Sequence, residues 1–202
     1  SSDVSWQRHQ FGGGDNPPPF FIKSYALICA KSESKRLPDK NILMFHNKPM
    51  FLHNVDKCLG IFDKVFVSSD DDNILDWADS RGAYAIKRPL ELCGEVPNIP
   101  VYQHAVQFME DVDAIVAVQA NSPTVLPIII KEIKDAMQFY DEAMTVHPNG
   151  KKYGSVWGIS MKRLAKYTEV SQYYNPDPQY VVEDQSIDIH LQKDFDNALK
   201  QI

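Results

Sequence analysis

Four cationic side chains lie within ten residues of the first apolar run of the chain. The run covers residues 25–30, and the cations that follow it are Lys31, Lys35, Arg36 and Lys40. This density of positive charge is suited to an anion, and the serine hydroxyls and backbone amides between the lysines add hydrogen-bond donors for phosphate oxygens. The residue types therefore predict chemistry on a phosphorylated ligand.

The position of these cations along the chain favours the same interpretation. A short, continuous apolar run indicates a buried strand of a parallel sheet, and open α/β sheets bind ligands at the carboxyl ends of their strands. The segment contains neither a P-loop signature nor a G-x-G-x-x-G fingerprint, so it matches neither common phosphate-binding motif. A basic loop that only faces solvent is the alternative interpretation.

The composition narrows the class of protein. The 202 residues are enough for one α/β domain with a full core, and 44% of them are hydrophobic and 24% charged. A net charge of -6 argues against a nucleic-acid partner. The three cysteines form no CxxC pair, and no apolar run approaches the length of a membrane span. We expect a cytoplasmic protein with no membrane partner.

The chain divides into a short tail and one domain. Residues 1–20 contain a Gly triplet and a Pro triplet but no periodic apolar pattern, so we interpret them as a disordered tail or linker. In the domain, residues 21–202, apolar periodicity predicts several strands and helices. The strands are 62–69, 84–86, 114–118 and 143–147, with 114–118 central, and the main helices are 49–59, 72–81, 127–140 and 191–202.

The loop from Ala30 to Asn41 carries a more specific pattern. Its residues, AKSESKRLPDKN, resemble the A-R-x-x-S-K-x-L-P-x-K-N loop of the CMP-sialic acid synthetases, the acylneuraminate cytidylyltransferase family. Three further segments resemble that family: V-S-S-D-D at 67–71, R-P-L-E-L at 88–92 and S-I-D-I at 186–189. The last of these resembles the closing strand of the family, which implies a strand over 181–189. Together with Q-A-N-S-P at 119–123, the three segments extend the resemblance over most of residues 25–202.

The resemblance implies a fold, a reaction and a cofactor. The fold is a three-layer, Rossmann-like nucleotidyltransferase fold of the α/β class, with a mostly parallel central sheet and helices on both faces. The reaction transfers CMP from CTP to an acidic sugar of the sialic, pseudaminic or octulosonic type and releases pyrophosphate. In such a reaction, cations and Mg²⁺ neutralise and align the triphosphate.

The resemblance also implies a role for individual residues. The catalytic cations are Lys31, Lys35 and Lys40. The nucleotide site comprises Ala30, Lys31, Ser34, Lys35, Lys40, Asn41 and Arg88. Gln119 and Lys151 are expected to bind the acidic sugar, and Asp188 with Asp70 to hold Mg²⁺. For Asp70 a helix N-cap is the alternative role, and for Lys151 a solvated turn.

The chain departs from the family pattern at several positions. Lys31 stands where the family has arginine, Glu33 where it has a small residue, and His190 where it has a second aspartate. The excursion through which relatives dimerise is absent, which predicts a monomer and leaves a weak homodimer open. These differences keep a second hypothesis open, a catalytically impaired cytidylyltransferase-like domain that serves as a binding or structural module.

Overall fold

A mixed β-sheet forms the centre of the computed structural model, which describes residues 21–32, 34–168 and 175–201. The predicted tail, residues 1–20, and Glu33 lie outside the described residues. Within the described ranges, seven strands make up the main sheet in the order β5-β4-β1-β6-β8-β7-β9. These strands are β1 (Ser24–Cys29), β4 (Val65–Ser69), β5 (Tyr84–Lys87), β6 (Ala114–Val118), β7 (Glu142–Val146), β8 (Lys152–Ser160) and β9 (Tyr180–Glu183). A separate two-stranded hairpin pairs β2 (Met44–Phe45) with β3 (Lys48–Pro49).

Strand direction decides where loops meet. β5, β4, β1 and β6 pair in parallel, as do β7 and β9, whereas β8 is antiparallel to both of its neighbours. The carboxyl ends of all other main-sheet strands therefore lie at one edge, together with the first residue of β8. The prediction that residues 114–118 form the central strand is confirmed, because all five are buried and β6 is fourth of the seven.

Helices cover both faces of the sheet. The helices are α1 (Met50–Leu59), α2 (Asp72–Ser80), α3 (Asn98–Ala105), α4 (Pro127–Ala136), α5 (Met161–Leu164) and α6 (Gln192–Leu199). Alternate residues of β1 point to opposite faces, so Ala26 and Ile28 pack with α1, α2 and α4, while Tyr25 and Leu27 pack with α3 and α5. The predicted three-layer, mostly parallel α/β fold is confirmed. No described helix has the length and hydrophobicity that crossing a membrane requires.

Several element boundaries differ from the sequence-based expectation, and two of them have an identifiable cause. The helix predicted over residues 127–140 ends at Ala136, because Met137 caps it and the following residues turn toward β7. The strand that the resemblance predicted over 181–189 ends at Glu183. There the buried Asp184 carboxylate accepts hydrogen bonds from Ser155 Oγ and from the hydroxyl and backbone N–H of Ser186, which draw the chain away from the sheet.

Two side chains of α1 hold the loop that follows β6. The buried Asn54 donates from Nδ2 to the carbonyls of Gln119 and Ser122, at 2.8 and 2.9 Å. Lys57 Nζ donates to the carbonyls of Pro123 and Val125, at 2.6 and 2.7 Å. These bonds bring side-chain donors to four carbonyls of the loop. They fix the loop that carries Gln119.

The replacement Lys57→Met tests the burial of Lys57 through the pH dependence of the free energy of unfolding. Burial lowers the pKa of Lys57 from 10.5 to about 8. Between these values the unfolded chain binds one more proton than the folded chain, so the free energy of unfolding of the wild type rises with pH there. Lys57→Met lacks that rise. Chemical denaturation of both proteins between about pH 7 and pH 10 measures the difference, and parallel curves would contradict it.

Close packing between β8 and α4 supplies a second test. A Cβ added to Gly158 would lie 2.5 Å from Met137 Sδ and 3.1 Å from Ile133 Cγ2. Gly158→Ala is therefore expected to lower the free energy of unfolding by about 1–3 kcal/mol, as overpacked cores do.

Gly60→Ala is the matched control, because the nearest atom to its added Cβ is the Lys57 carbonyl oxygen at an ordinary 3.5 Å. We expect this change to shift the free energy of unfolding by less than about 1 kcal/mol. Urea denaturation of the three proteins compares them, and equal stability of the two variants would refute the packing argument.

Candidate functional site

A cleft of about 600 Å³ lies at the edge where the parallel strands end. It is lined from β1 and its basic loop, from the residues after β5, β6 and β9, and from the start of β8. Eight of the predicted site residues line it together: Lys31, Ser34, Lys35, Lys40, Asn41, Arg88, Gln119 and Asp188. The topology thus brings residues from four separate segments of the chain to one site.

Positive charge dominates the lining. Six cationic side chains face two carboxylates among the described lining residues. The cations are Lys31, Lys35, Arg36, Lys40, Arg88 and Lys152, and the carboxylates are Glu95 and Asp188. The approach of Lys35 to Glu95, at 4.0 Å, joins two largely exposed side chains and contributes little. The cleft therefore keeps an excess of positive charge for an anionic ligand.

Arg88 is the most deeply placed cation of the cleft. It directly follows β5, its backbone N–H donates to the carbonyl of Ser69, and its side chain is only 6% exposed. The guanidinium donates long hydrogen bonds to Ser68 Oγ at 3.4 Å and to the Ser68 carbonyl at 3.3 Å. No carboxylate of the described residues lies within 4.0 Å of it. A buried cation with only weak neutral partners favours an anion from outside.

Lys40 is the second buried cation. Asp39, in the left-handed region with φ 54°, starts a short 3₁₀ turn, Lys40–Ile42, that leaves the Lys40 side chain 8% exposed. Burial is the main cause that lowers the pKa of Lys40, and the charges of Lys31 and Arg36 lower it further, while Asp188 opposes them. These cations raise one another's energy, and a polyanion would relieve that repulsion.

Asn41 presents a hydrogen-bond acceptor without a partner. Its Nδ2 donates to the Lys31 carbonyl at 2.9 Å, which ties the turn to the end of the basic loop. Its Oδ1 is buried and has no hydrogen-bond partner among the described residues. Because buried polar atoms are seldom left unpaired, this oxygen is positioned to accept a hydrogen bond from a ligand.

Asp188 also lines the cleft and is already in contact with two side chains of the chain. Asn121 Nδ2 donates to its Oδ1, and His190 Nε2 lies 2.5 Å from its Oδ2. The segment is held in place because Ile189 N–H donates to the Asn121 carbonyl at 2.9 Å. One oxygen of this carboxylate therefore accepts a hydrogen bond from Asn121, and the other is in close contact with the His190 ring.

The Asp70 carboxylate is bound to Ser32, at the start of the basic loop. It accepts hydrogen bonds from Ser32 N–H at 2.8 Å and from Ser32 Oγ at 2.7 Å, and it does not line the cleft. Partial burial acts to raise the pKa of Asp70, but the hydrogen bonds from Ser32 outweigh burial, and the pKa is lowered. The N-cap of α2 is Asp71, which accepts from Asn73 N–H. Asp70 thus anchors the start of the basic loop.

These contacts do not fit the magnesium site that the resemblance implies. Mg²⁺ takes oxygen ligands in near-octahedral geometry, from one or two carboxylates plus substrate phosphates. Asp70 lies outside the cleft, the two Asp188 oxygens are in contact with Asn121 and His190, and imidazole suits Mg²⁺ poorly. No group of three or more His, Cys, Asp or Glu residues within the described ranges is arranged to hold a metal.

The acceptor end of the cleft differs in detail from the prediction. Gln119 lines the cleft and its Nε2 lies 3.4 Å from Tyr102 Oη. Lys151 is exposed and does not line the cleft, whereas Lys152, the first residue of β8, does. Successive strand residues point to opposite sides, and the sequence could not indicate which lysine of the pair faces inward. Ala30 is fully buried and is anchored by its N–H to the Ser68 carbonyl.

Several lining residues were not predicted. Asn121 and Cys29 lie among the polar groups, and Met144 and Trp157 form an apolar wall. Trp157 is fixed from behind, because its indole N–H donates to the buried Glu142 at 2.9 Å. Burial raises the pKa of the Cys29 thiol to about 11, against the opposing charge of Arg88. Alternation along β8 would have suggested Trp157, whereas the contact of Asn121 with Asp188 spans 67 residues and has no local signal.

Comparison with known proteins identifies relatives of this chain. An N-acylneuraminate cytidylyltransferase of Streptococcus agalactiae serotype V is 34% identical over 124 residues, which are 59% of this chain and 29% of that protein. A pseudaminic acid cytidylyltransferase of Campylobacter jejuni is 32% identical over 119 residues, which are 55% of this chain and 51% of the relative. The matched parts are thus at most about half the length of these curated relatives.

Solved structures show the same fold. A CMP:2-keto-3-deoxy-manno-octonic acid synthetase complexed with CTP superposes with a TM-score of 0.71 at 15% identity, covering 88% of this chain and 97% of that one. The family model described as cytidylyltransferase matches residues 25–199. The predicted resemblance is therefore confirmed, and the chain belongs to the cytidylyltransferase family.

Proposed function

We propose that the chain transfers CMP from CTP to an acidic sugar and releases pyrophosphate. The observation that carries the proposal is the pair of buried cations, Arg88 and Lys40, in a cleft with an excess of positive charge. Burying cations without carboxylate partners is costly unless a ligand supplies the opposite charge. The names of the streptococcal and campylobacter relatives support CTP and an acidic sugar as the two substrates.

The basic loop after β1, which carries Lys31, Lys35 and Lys40, is suited to binding the triphosphate of CTP. The acceptor hydroxyl oxygen bonds to the α-phosphorus, the bond from that phosphorus to the pyrophosphate oxygen breaks, and the hydroxyl proton is lost. Such a step needs charge neutralisation and alignment more than covalent help. Lys31, Lys35 and Lys40 are placed to stabilise the charge that develops on the departing pyrophosphate.

Asn41 and Arg88 are suited to the rest of the nucleotide. The unpaired Oδ1 of Asn41 accepts a hydrogen bond from a ribose hydroxyl or a base amino group. Arg88 offers a planar fork of donors from a buried position in the lining. A donor and an acceptor fixed on separate segments orient the nucleoside relative to the phosphates.

The acidic sugar is proposed to lie beside Gln119 and Lys152. Lys152 provides a cation at the far side of the cleft for a carboxylate, and its Nζ donates to the Pro176 carbonyl at 3.0 Å, which limits its motion. Gln119 can bind sugar hydroxyls, and the wall of Met144 and Trp157 can pack against the sugar carbons. These contacts define an acceptor that is anionic at one end and hydroxylated along its length.

Two measurements separate the enzyme from a binding module. Calorimetric titration with CTP tests the nucleotide site, and a pyrophosphate-release assay with a panel of acidic sugars tests turnover. We expect saturable CTP binding and release of pyrophosphate with at least one sugar. Binding without release would favour the binding-module hypothesis, and no binding of CTP would refute the nucleotide site.

Lys40→Met tests the role of the buried lysine. Because burial lowers the pKa of Lys40, an apolar side chain of similar length is expected to leave the free energy of unfolding unchanged or higher. CTP affinity should fall about 10- to 100-fold, the effect of losing a charge-assisted contact.

Lys166→Met is the matched control, because Lys166 is exposed and outside the cleft. Its CTP affinity and stability should equal those of the wild type. Calorimetry and thermal denaturation of the three proteins give both quantities. Unchanged CTP affinity in Lys40→Met would show that this cation does not contact the nucleotide.

A further inference from the structure

We propose that this cleft binds the triphosphate of its nucleotide without a divalent metal ion, and that the contact between His190 and Asp188 is the reason. The inference rests on the function proposed above, since it concerns how the same nucleotide is held. It concerns binding alone, and it follows from the mismatch between the cleft and a magnesium site.

The first step is the state of Asp188. An ionised carboxylate has about four lone-pair sites, and a metal ion needs room beside at least one of them. Here one oxygen accepts a hydrogen bond from Asn121 Nδ2, and the other lies 2.5 Å from His190 Nε2. The imidazole ring thus occupies space beside the second oxygen that a metal ion would need. A metal ion on Asp188 would have to share an oxygen with Asn121 or displace His190.

The second step is the lack of a replacement carboxylate. Asp70 accepts two hydrogen bonds from Ser32 and lies outside the lining. Glu95, the other described acid of the lining, is 74% exposed and lies 4.0 Å from Lys35. Within the described ranges, no group of three or more His, Cys, Asp or Glu residues is arranged to hold a metal ion.

The third step is the charge that the chain itself supplies. A divalent ion on a nucleotide neutralises part of the triphosphate charge and holds its oxygens in place. Five cationic side chains of the lining, all except Lys152, supply both functions, and Lys40 and Arg88 do so from desolvated positions where screening is weakest. The cleft already carries the positive charge that a metal ion would add.

His190 is the residue that decides between the two modes. An aspartate at this position would place a second carboxylate beside Asp188, two residues apart on the same segment. Two adjacent carboxylates repel unless a cation lies between them. CTP binding by His190→Asp should therefore depend on a metal ion. CTP binding by His190→Asn should not, because the asparagine amide can donate to Asp188 without adding charge.

Titration calorimetry with CTP, in excess EDTA and in excess MgCl₂ at matched ionic strength, tests the proposal. For the wild type we expect CTP to bind at least as tightly in EDTA as in MgCl₂, where a difference of up to about threefold counts as equal. For His190→Asp we expect CTP binding to be at least about tenfold tighter in MgCl₂ than in EDTA. His190→Asn should behave like the wild type.

Electron paramagnetic resonance of Mn²⁺ added without nucleotide gives an independent readout. The wild type and His190→Asn should leave the signal of free Mn²⁺ unchanged, and His190→Asp should reduce it. Circular dichroism establishes that each variant is folded.

The outcomes are distinguishable. Wild-type binding that strengthens tenfold or more with Mg²⁺ would overturn the inference and leave the proposed function intact. A metal response that is the same in His190→Asp and in the wild type would overturn the role of His190. Absence of CTP binding in both buffers would overturn the proposed function, and this inference with it.

Discussion

The uncompensated burial of positive charge at the carboxyl edge of the sheet is the constraint on which the site depends. Arg88 and Lys40 are removed from water without a carboxylate at ion-pair distance among the described residues. Such an arrangement costs folding free energy, and the closely packed sheet and its helices must offset that cost. The cost is repaid when a polyanion enters, because the ligand then supplies the charge that the fold lacks. Stability and ligand binding are therefore opposed at these two residues.

The parts of the site that follow from local pattern could be predicted. The apolar run before the lysines indicated a strand, and parallel strands bring their ends to one edge, so the convergence of Lys40, Arg88 and Gln119 followed from topology. The family pattern extended this to Asp188, which also lies in the cleft. The sequence was therefore sufficient to predict which strand ends and following segments meet at the site.

The parts that depend on side-chain partners far along the chain could not be predicted. Two contacts join segments more than 60 residues apart. One is the hydrogen bond from Asn121 to Asp188, and the other is the hydrogen bond from Lys57 to a carbonyl after β6. The direction of a side chain at a strand end was equally hidden, and so Lys152 faces the cleft where Lys151 was expected. Asp70 was open between two roles, and its hydrogen bonds to Ser32 assign it a third, as the anchor of the basic loop.

The reversed direction of β8 has a consequence for how substrate range can change. Because β8 alone runs against the other strands of the main sheet within the described ranges, the short turn between β7 and β8 lies at the rim of the cleft, next to Lys152. The residues proposed to bind the nucleotide belong to the basic loop after β1 and to the segment after β5, neither of which contains that turn. Lengthening the turn would change the side of the cleft where the acidic sugar is proposed to bind. It would leave the residues that are proposed to bind the nucleotide unchanged. Donor recognition and acceptor recognition are thus free to evolve at different rates in this scaffold.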